Sequence, residues 1–155
     1  MHVFIAGVMQ AERLDDQIES QDYRSRITQV LQSAMLDVTI TDPFALNPGS
    51  VNYDTERARH TFLTMTKKAA EADLLIAYLP QMSMGTAMEM WEAYQAGAYI
   101  IAISPHVHHW AIRFTTNEIL PDLDSLEEMI GNGRLHQIML ARNGRSAIDA
   151  EPIAD

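Results

Sequence analysis

Leu74-Leu75-Ile76-Ala77-Tyr78-Leu79-Pro80-Gln81-Met82-Ser83-Met84-Gly85-Thr86-Ala87-Met88-Glu89-Met90-Trp91-Glu92-Ala93 has the pattern of a strand, a turn and a helix in succession. The apolar run from Leu74 to Leu79 is short and stops at Pro80, as suits a strand buried on both faces of a parallel sheet. Gly85 supplies backbone freedom for the turn, and Thr86 is placed to cap a helix reaching to about Gly97. This spacing predicts Glu89 in the first turn of that helix. In open α/β sheets, ligands bind beyond the carboxyl ends of the strands, where helix N-termini present positive dipole ends and free N–H groups. The dipole would favour the ionised form of Glu89 while Met82, Met84, Met88 and Trp91 restrict water, making it a candidate nucleophile. A first-turn glutamate also stabilises a helix with no further role, so spacing alone leaves both readings open.

Outward from this unit the chain alternates strands and helices. A strand is expected at about residues 2–6, followed by a polar connection from Gln10 to Gln21 and a helix at about 22–35. Ile27, Val30, Leu31 and Ala34 recur there at helical spacing and define its buried stripe. A second strand is expected at 37–41. Residues 43–53 read as a loop from their Pro, Gly and Asn content, at the same sheet end as the Glu89 turn. A helix at about 54–72, a strand at 99–104, a loop at 105–117 and a helix at about 122–130 complete the regular part. A last short helix around 134–142 precedes a polar tail, about 143–155, expected to fray. The βαβαβαβ order predicts a doubly wound parallel sheet with right-handed crossovers, flavodoxin-like or Rossmann-like. No repeat, low-complexity block or linker interrupts it, and 155 residues suit one domain with a substantial core.

Composition narrows the function classes. The formal net charge is −10, with 11 Lys and Arg against 21 Asp and Glu, which disfavours polymeric nucleic acid because counterion release needs clustered cations. A small phosphorylated ligand stays compatible, since helix dipoles and one or two arginines act at short range. No apolar run approaches the roughly 20 residues needed to span a bilayer, so no membrane partner is expected. Cysteine is absent, which excludes disulfides and thiol ligands. Met1 to Gly7 lacks a basic leader and reads directly as a strand, so a cytoplasmic location is expected.

The segment Ser83-Met84-Gly85-Thr86-Ala87-Met88-Glu89, after a strand and before a helix, closely resembles the signature of the nucleoside 2-deoxyribosyltransferase family, which includes deoxynucleoside 5′-monophosphate N-glycosidases. Val3-Phe4-Ile5-Ala6-Gly7-Val8-Met9-Gln10 resembles that family's N-terminal loop for base and sugar, so the resemblance spans about residues 2–130. It implies that Glu89 attacks the anomeric carbon, expels the base and carries the sugar as an ester until a second base or water resolves it. It implies substrate contacts from Gly7, Met9, Gln10, Ser83, Gly85 and Met88. It also implies a small nucleoside or nucleotide as partner, no metal or organic cofactor, and a homo-oligomer, dimeric or higher, whose pockets are completed across a symmetric interface.

Two positions qualify what the resemblance implies. Family transferases acting on unphosphorylated nucleosides commonly carry aspartate at the position of Ser83, where it holds the sugar 5′-hydroxyl. Serine resembles the monophosphate hydrolases instead, since a neutral hydroxyl donates to phosphate without repulsion; it equally suits a cap of the turn. The family's second acidic residue, which assists the leaving base, falls on Met65, and methionine donates no proton. Loss of that acid also fits a nucleotide-binding module without turnover. Asp54 and Glu56 are the nearest acids in sequence, and both also read as a helix cap and a first-turn charge. Asp73 reads as a strand-edge residue.

Several other side chains are candidates with ordinary alternatives. Trp110 and Asn117 lie in a segment that in the family often contacts a neighbouring subunit, and core and capping roles also suit them. His106, His108 and His109 do not read as a metal site, because neighbouring histidines do not readily converge on one ion. Tyr23, Arg24 and Arg13 are placed to approach a sugar hydroxyl or phosphate, although an arginine on a helix is usually a solvated charge. The ten methionines read chiefly as core filling, with those near Glu89 able to form an adaptable apolar face for a base.

Overall fold

The computed structural model describes residues 1–10, 14, 17–35 and 37–149, the last seven by their backbone alone. Five strands, β1 (His2–Gly7), β2 (Thr39–Thr41), β3 (Leu74–Tyr78), β4 (Tyr99–Ile103) and β5 (Glu118–Leu120), form one sheet. All pairs are parallel, in the order β2-β1-β3-β4-β5. The helices are α1 (Asp22–Ala34), α2 (Pro43–Leu46), α3 (Thr55–Lys68), α4 (Met84–Gln95), α5 (Trp110–Thr115), α6 (Leu123–Gly131) and α7 (Arg134–Asp149). This is a doubly wound α/β fold of the flavodoxin-like order. The winding reverses between β1 and β3, which opens a crevice at their carboxyl ends.

Alternation along the strands divides the core into two layers. Val3, Ile5, Leu74, Ile76, Ile101 and Ile103 point to one face, where Ile27 and Leu31 of α1, Leu126 of α6 and Leu135 of α7 cover them. Phe4, Ala6, Leu75, Ala77, Ile100 and Ala102 point to the other, against Met90 and Ala93 of α4 and Ile112 of α5. Ala6, Ala77 and Ala102 pair in register across β1, β3 and β4, forming a row of small side chains. A helix can approach the sheet closely over such a row, because interiors pack to near-crystalline density. That row lies at the sheet end from which α4 departs.

The structure departs from the sequence reading at short elements. β5 was not expected: three residues are too few for a periodic signal, and the strand is set by pairing with Ile101–Ile103. Asn117 starts it, its N–H donating to the Ile100 carbonyl and its side-chain oxygen accepting from the Ile100 N–H, each at 2.8 Å. The expected loop at 43–53 contains α2 and a 3-10 turn at Ser50–Asn52. Asp42 caps α2 by accepting from the Phe44 N–H at 2.9 Å, with Pro43 in the first turn. The helix expected to reach 72 tightens into a 3-10 turn at Ala69–Glu71. α7 continues to Asp149, beyond the expected end at Arg142, so the backbone is helical over much of the stretch read as a frayed tail.

Candidate active site

α4 begins three residues earlier than the sequence spacing predicts. Ser83, not Thr86, is the N-cap: its hydroxyl oxygen accepts from the Thr86 N–H at 3.3 Å and from the Thr86 hydroxyl at 3.0 Å. Gly85 is inside the helix rather than in a left-handed turn, positive φ being confined to Gly97 and Gly133 among the described glycines. Glu89 therefore falls in the second turn, and no acidic residue occupies the first. The N-terminal dipole weakens beyond the first turn, so the expected ionising influence is not the governing one. Burial pushes the Glu89 carboxyl up to about 8, with Arg24 pulling it down and Asp42 pushing it up. The carboxyl is then largely protonated at neutral pH, opposite to the expectation from the dipole.

Glu89 lines a cavity of about 530 Å³ at the β1/β3 crevice. Among the described residues, no hydrogen bond or ion pair reaches its carboxylate. One wall comes from α3, where Ala58, Thr61, Phe62 and Met65 face the cavity at helical spacing. Tyr53 extends this wall, its ring lying under the Arg57 guanidinium at 3.8 Å. The polar part of the lining includes Gln10, Arg24, Asn47, Ser50, Ser83 and Thr86.

Arg24, placed by the sequence near a sugar hydroxyl or phosphate, lines the cavity as a buried, anchored group. On its β2 side, β1 outruns its partner after Phe4, leaving carbonyls at its end without strand donors. Arg24 supplies them: Nη1 donates to the Ile5 carbonyl at 2.8 Å, and Nη2 reaches the Gly7 carbonyl at 3.5 Å. Nη1 also meets Asp42 Oδ1 at 2.9 Å, and Nε donates to Gln21 Oε1 at 2.7 Å. The residue is only 3% exposed. It is thus not the solvated surface charge that an arginine on a helix usually is. A signal was present in the sequence, since Arg24 lies three and seven residues before Ile27 and Leu31, on the apolar stripe of α1.

Tyr23, beside it, is also buried and stacks on Tyr78 with ring centroids 4.4 Å apart. Burial pushes its phenol well above the usual range. A Cβ added at Gly7 would lie 2.3 Å from the Tyr23 hydroxyl oxygen, so the missing side chain at Gly7 makes room for this ring. The space there belongs to the protein rather than to a close-approaching ligand.

Of the residues singled out from the sequence, Gly7, Met9, Gln10, Arg24, Ser83, Met84, Gly85 and Glu89 line the cavity together. Met88 is exposed on α4 outside that lining. Asp54 caps α3, accepting from the Arg57 N–H at 2.8 Å, and also lies outside it. Trp110 is 75% exposed and borders a second, apolar cavity of about 440 Å³ with Met82, Trp91 and Phe114. Asn117 holds the start of β5, as described. Asp73 accepts from the His2 N–H at 2.7 Å, a strand-edge role. Arg13 lies outside the described residues. Met65, at the position of the family's second acid, faces the cavity from α3.

No family model matches the chain, and no curated protein matches it. Among solved structures, the fold is similar to that of a 2-deoxyribosyltransferase from the psychrotolerant bacterium Bacillus psychrosaccharolyticus, with a TM-score of 0.61 and 19% identity over 82% of this chain and 90% of that one. It is also similar to a conserved protein from Enterococcus faecalis V583, with a TM-score of 0.55 and 19% identity over 84% of this chain and 97% of that one. At this identity the likeness is one of fold. No helix among the described residues is long and apolar enough to cross a membrane.

Proposed function

We propose that the chain cleaves the N-glycosidic bond of a (deoxy)nucleoside and transfers the sugar to another base through an ester on Glu89. The observation that carries this reading is the Glu89 carboxylate, which faces the crevice cavity without a hydrogen bond or ion pair among the described residues. A glutamate kept only for structure at that depth would ordinarily have a partner, because an unpaired half-buried carboxyl costs stability. The fold shared with a protein described as a biocatalyst for nucleoside synthesis supports the same reading.

In the ionised state, a Glu89 oxygen attacks C1′ as the C1′–N bond breaks, and the bond pair leaves with the base. The incoming base then attacks C1′, and the ester C–O bond breaks to restore the carboxylate. Two inversions give net retention. Phe62 and Met65 offer an apolar surface for a planar base, with the Thr61 hydroxyl beside them, while the polar Arg24 and Ser83 side chains suit the sugar. Met65 donates no proton to the departing base, so that help comes from water or another group.

A second reading is favoured by Ser83. Its oxygen accepts two hydrogen bonds from Thr86, which leaves its own proton to donate to a phosphate. That arrangement suits a 5′-monophosphate N-glycosidase, in which water resolves the ester. Incubation with deoxynucleosides and their monophosphates, with and without an acceptor base, separates the cases by chromatography. Base exchange supports transfer, free base without exchange supports hydrolysis, and binding without product supports a non-catalytic module. We also propose a homo-oligomer, consistent with the exposed Trp91, Tyr94, Trp110 and Phe114, and its mass by light scattering is the test.

A further inference from the structure

Arg24 cannot serve Glu89 as an ordinary salt-bridge partner. Its guanidinium is anchored to the Ile5 carbonyl, Asp42 and Gln21, and no ion pair within 4.0 Å joins it to Glu89. Arg24 and Glu89 nevertheless line the same cavity. A direct Arg–carboxylate fork would hold the carboxylate oxygens in strong hydrogen bonds and blunt their nucleophilicity. A guanidinium kept back by a carboxylate of its own acts through its field alone.

On the reading of Glu89 as nucleophile, we propose that Arg24 and Asp42 are opposed positioning residues. Arg24 favours the charged carboxylate within the cavity that both line, while Asp42 tethers Arg24 away from Glu89 and tempers its charge. Both are well shielded, the side chains being 4% and 12% exposed, so their charges are less screened than surface charges are. Among the described residues, the other polar groups lining the cavity are the Tyr53 phenol, which carries the Arg57 guanidinium on its ring, and the uncharged Gln10, Asn47, Ser50, Thr61, Ser83 and Thr86; Tyr23 and Gln21 lie beside Arg24 just outside the lining. Glu92 is one turn along α4 and half-buried. Among the described residues, the Arg24–Asp42 pair is therefore the main source of charge acting on Glu89 from outside its own helix, in agreement with the opposite signs of their influences.

The test is a pH titration of the glutamate side-chain carboxyl carbons by NMR in 13C-labelled protein without substrate, with Glu89 assigned by loss of its signal in Glu89→Gln. Arg24→Met should move the Glu89 midpoint up, and Asp42→Asn should move it down, each by about one unit. Arg24→Lys, which keeps the charge, should stay nearer the wild type than Arg24→Met. Shifts in the same direction, or a Glu89 midpoint unmoved by Asp42→Asn, would overturn the proposal. If Arg24→Met does not fold, Asp42→Asn and Arg24→Lys decide it: a downward shift in the first with little change in the second supports the proposal, and any other pattern overturns it. Because the titration needs no turnover, opposed shifts in a protein that cleaves no nucleoside would keep this inference and reject the glycosidic reading. Unmoved midpoints in an enzyme that Glu89→Gln inactivates would do the reverse.

Discussion

The two faces of the sheet are built from different side chains and do different work. The α1, α6 and α7 face is filled by Val, Ile and Leu, whose bulk buries apolar area and anchors the fold. The α4 face carries the alanine row Ala6, Ala77 and Ala102, which contributes less area but allows α4 to settle close to the strands. α4 in turn carries Glu89 into the crevice. Bulk on one face supports stability, and its absence on the other supports positioning. Substitutions on the two faces should consequently separate stability from activity.

The largest expected effect is at Glu89 itself. Glu89→Gln should lower turnover by at least about a thousandfold, as loss of a covalent nucleophile does, and steady-state kinetics checks it. Its stability should move the other way. With the folded-state value raised to about 8, the folded protein holds a proton that the unfolded chain releases near the ordinary carboxylate range. Stability from this group is thus present at low pH and lost as pH rises towards 8. Melting of Glu89→Gln should match the wild type in acid and exceed it at pH 8. With Glu89 as the proposed nucleophile, the same titration should govern the rate: wild-type turnover should rise with pH through about 8 as the carboxylate forms, and a profile flat between pH 6 and 9 would contradict it.

The next pair sets one face directly against the other. Ile76→Ala on the bulky face should cost about 2–5 kcal/mol in denaturant unfolding while leaving the kcat of the folded fraction near wild type. Ala77→Leu on the small-residue face should cost only about 1–3 kcal/mol, yet lower kcat by more than Ile76→Ala does, because α4 is pushed off the strands. Equal activity in the two variants would break the comparison. Gly7→Ala should cost about 1–3 kcal/mol through its collision with Tyr23, read as a lowered unfolding midpoint. The smallest effect is expected for Ser83→Ala, about 1 kcal/mol from the lost cap. If the hydroxyl also meets a phosphate, its KM for a monophosphate should rise more than that for the free nucleoside.

How much was legible from the chain varied with the range of the signal. The β3–α4 unit was readable because a buried strand and an amphipathic helix are local patterns, and Gly7, Met9, Gln10, Ser83, Gly85 and Glu89 converge as the alternating order implies. The cap of α4 was ambiguous, since Ser83 and Thr86 both carry suitable hydroxyls. The fold resolves it by burying Thr86 and directing its N–H and hydroxyl to Ser83. β5 was invisible because its three residues acquire strand geometry only beside β4.

By itself the sequence determined the alternating architecture, the crevice at the third strand and the carboxylate placed there, because periodicity and turn chemistry act between near neighbours. Only the tertiary structure decided the charge state of that carboxylate. Its environment depends on burial and on Arg24 and Asp42, which lie 65 and 47 residues earlier in the chain and meet only through the unpaired end of β1 and the cap of α2. Electrostatics follows distance in space, and no local pattern in the chain records that distance.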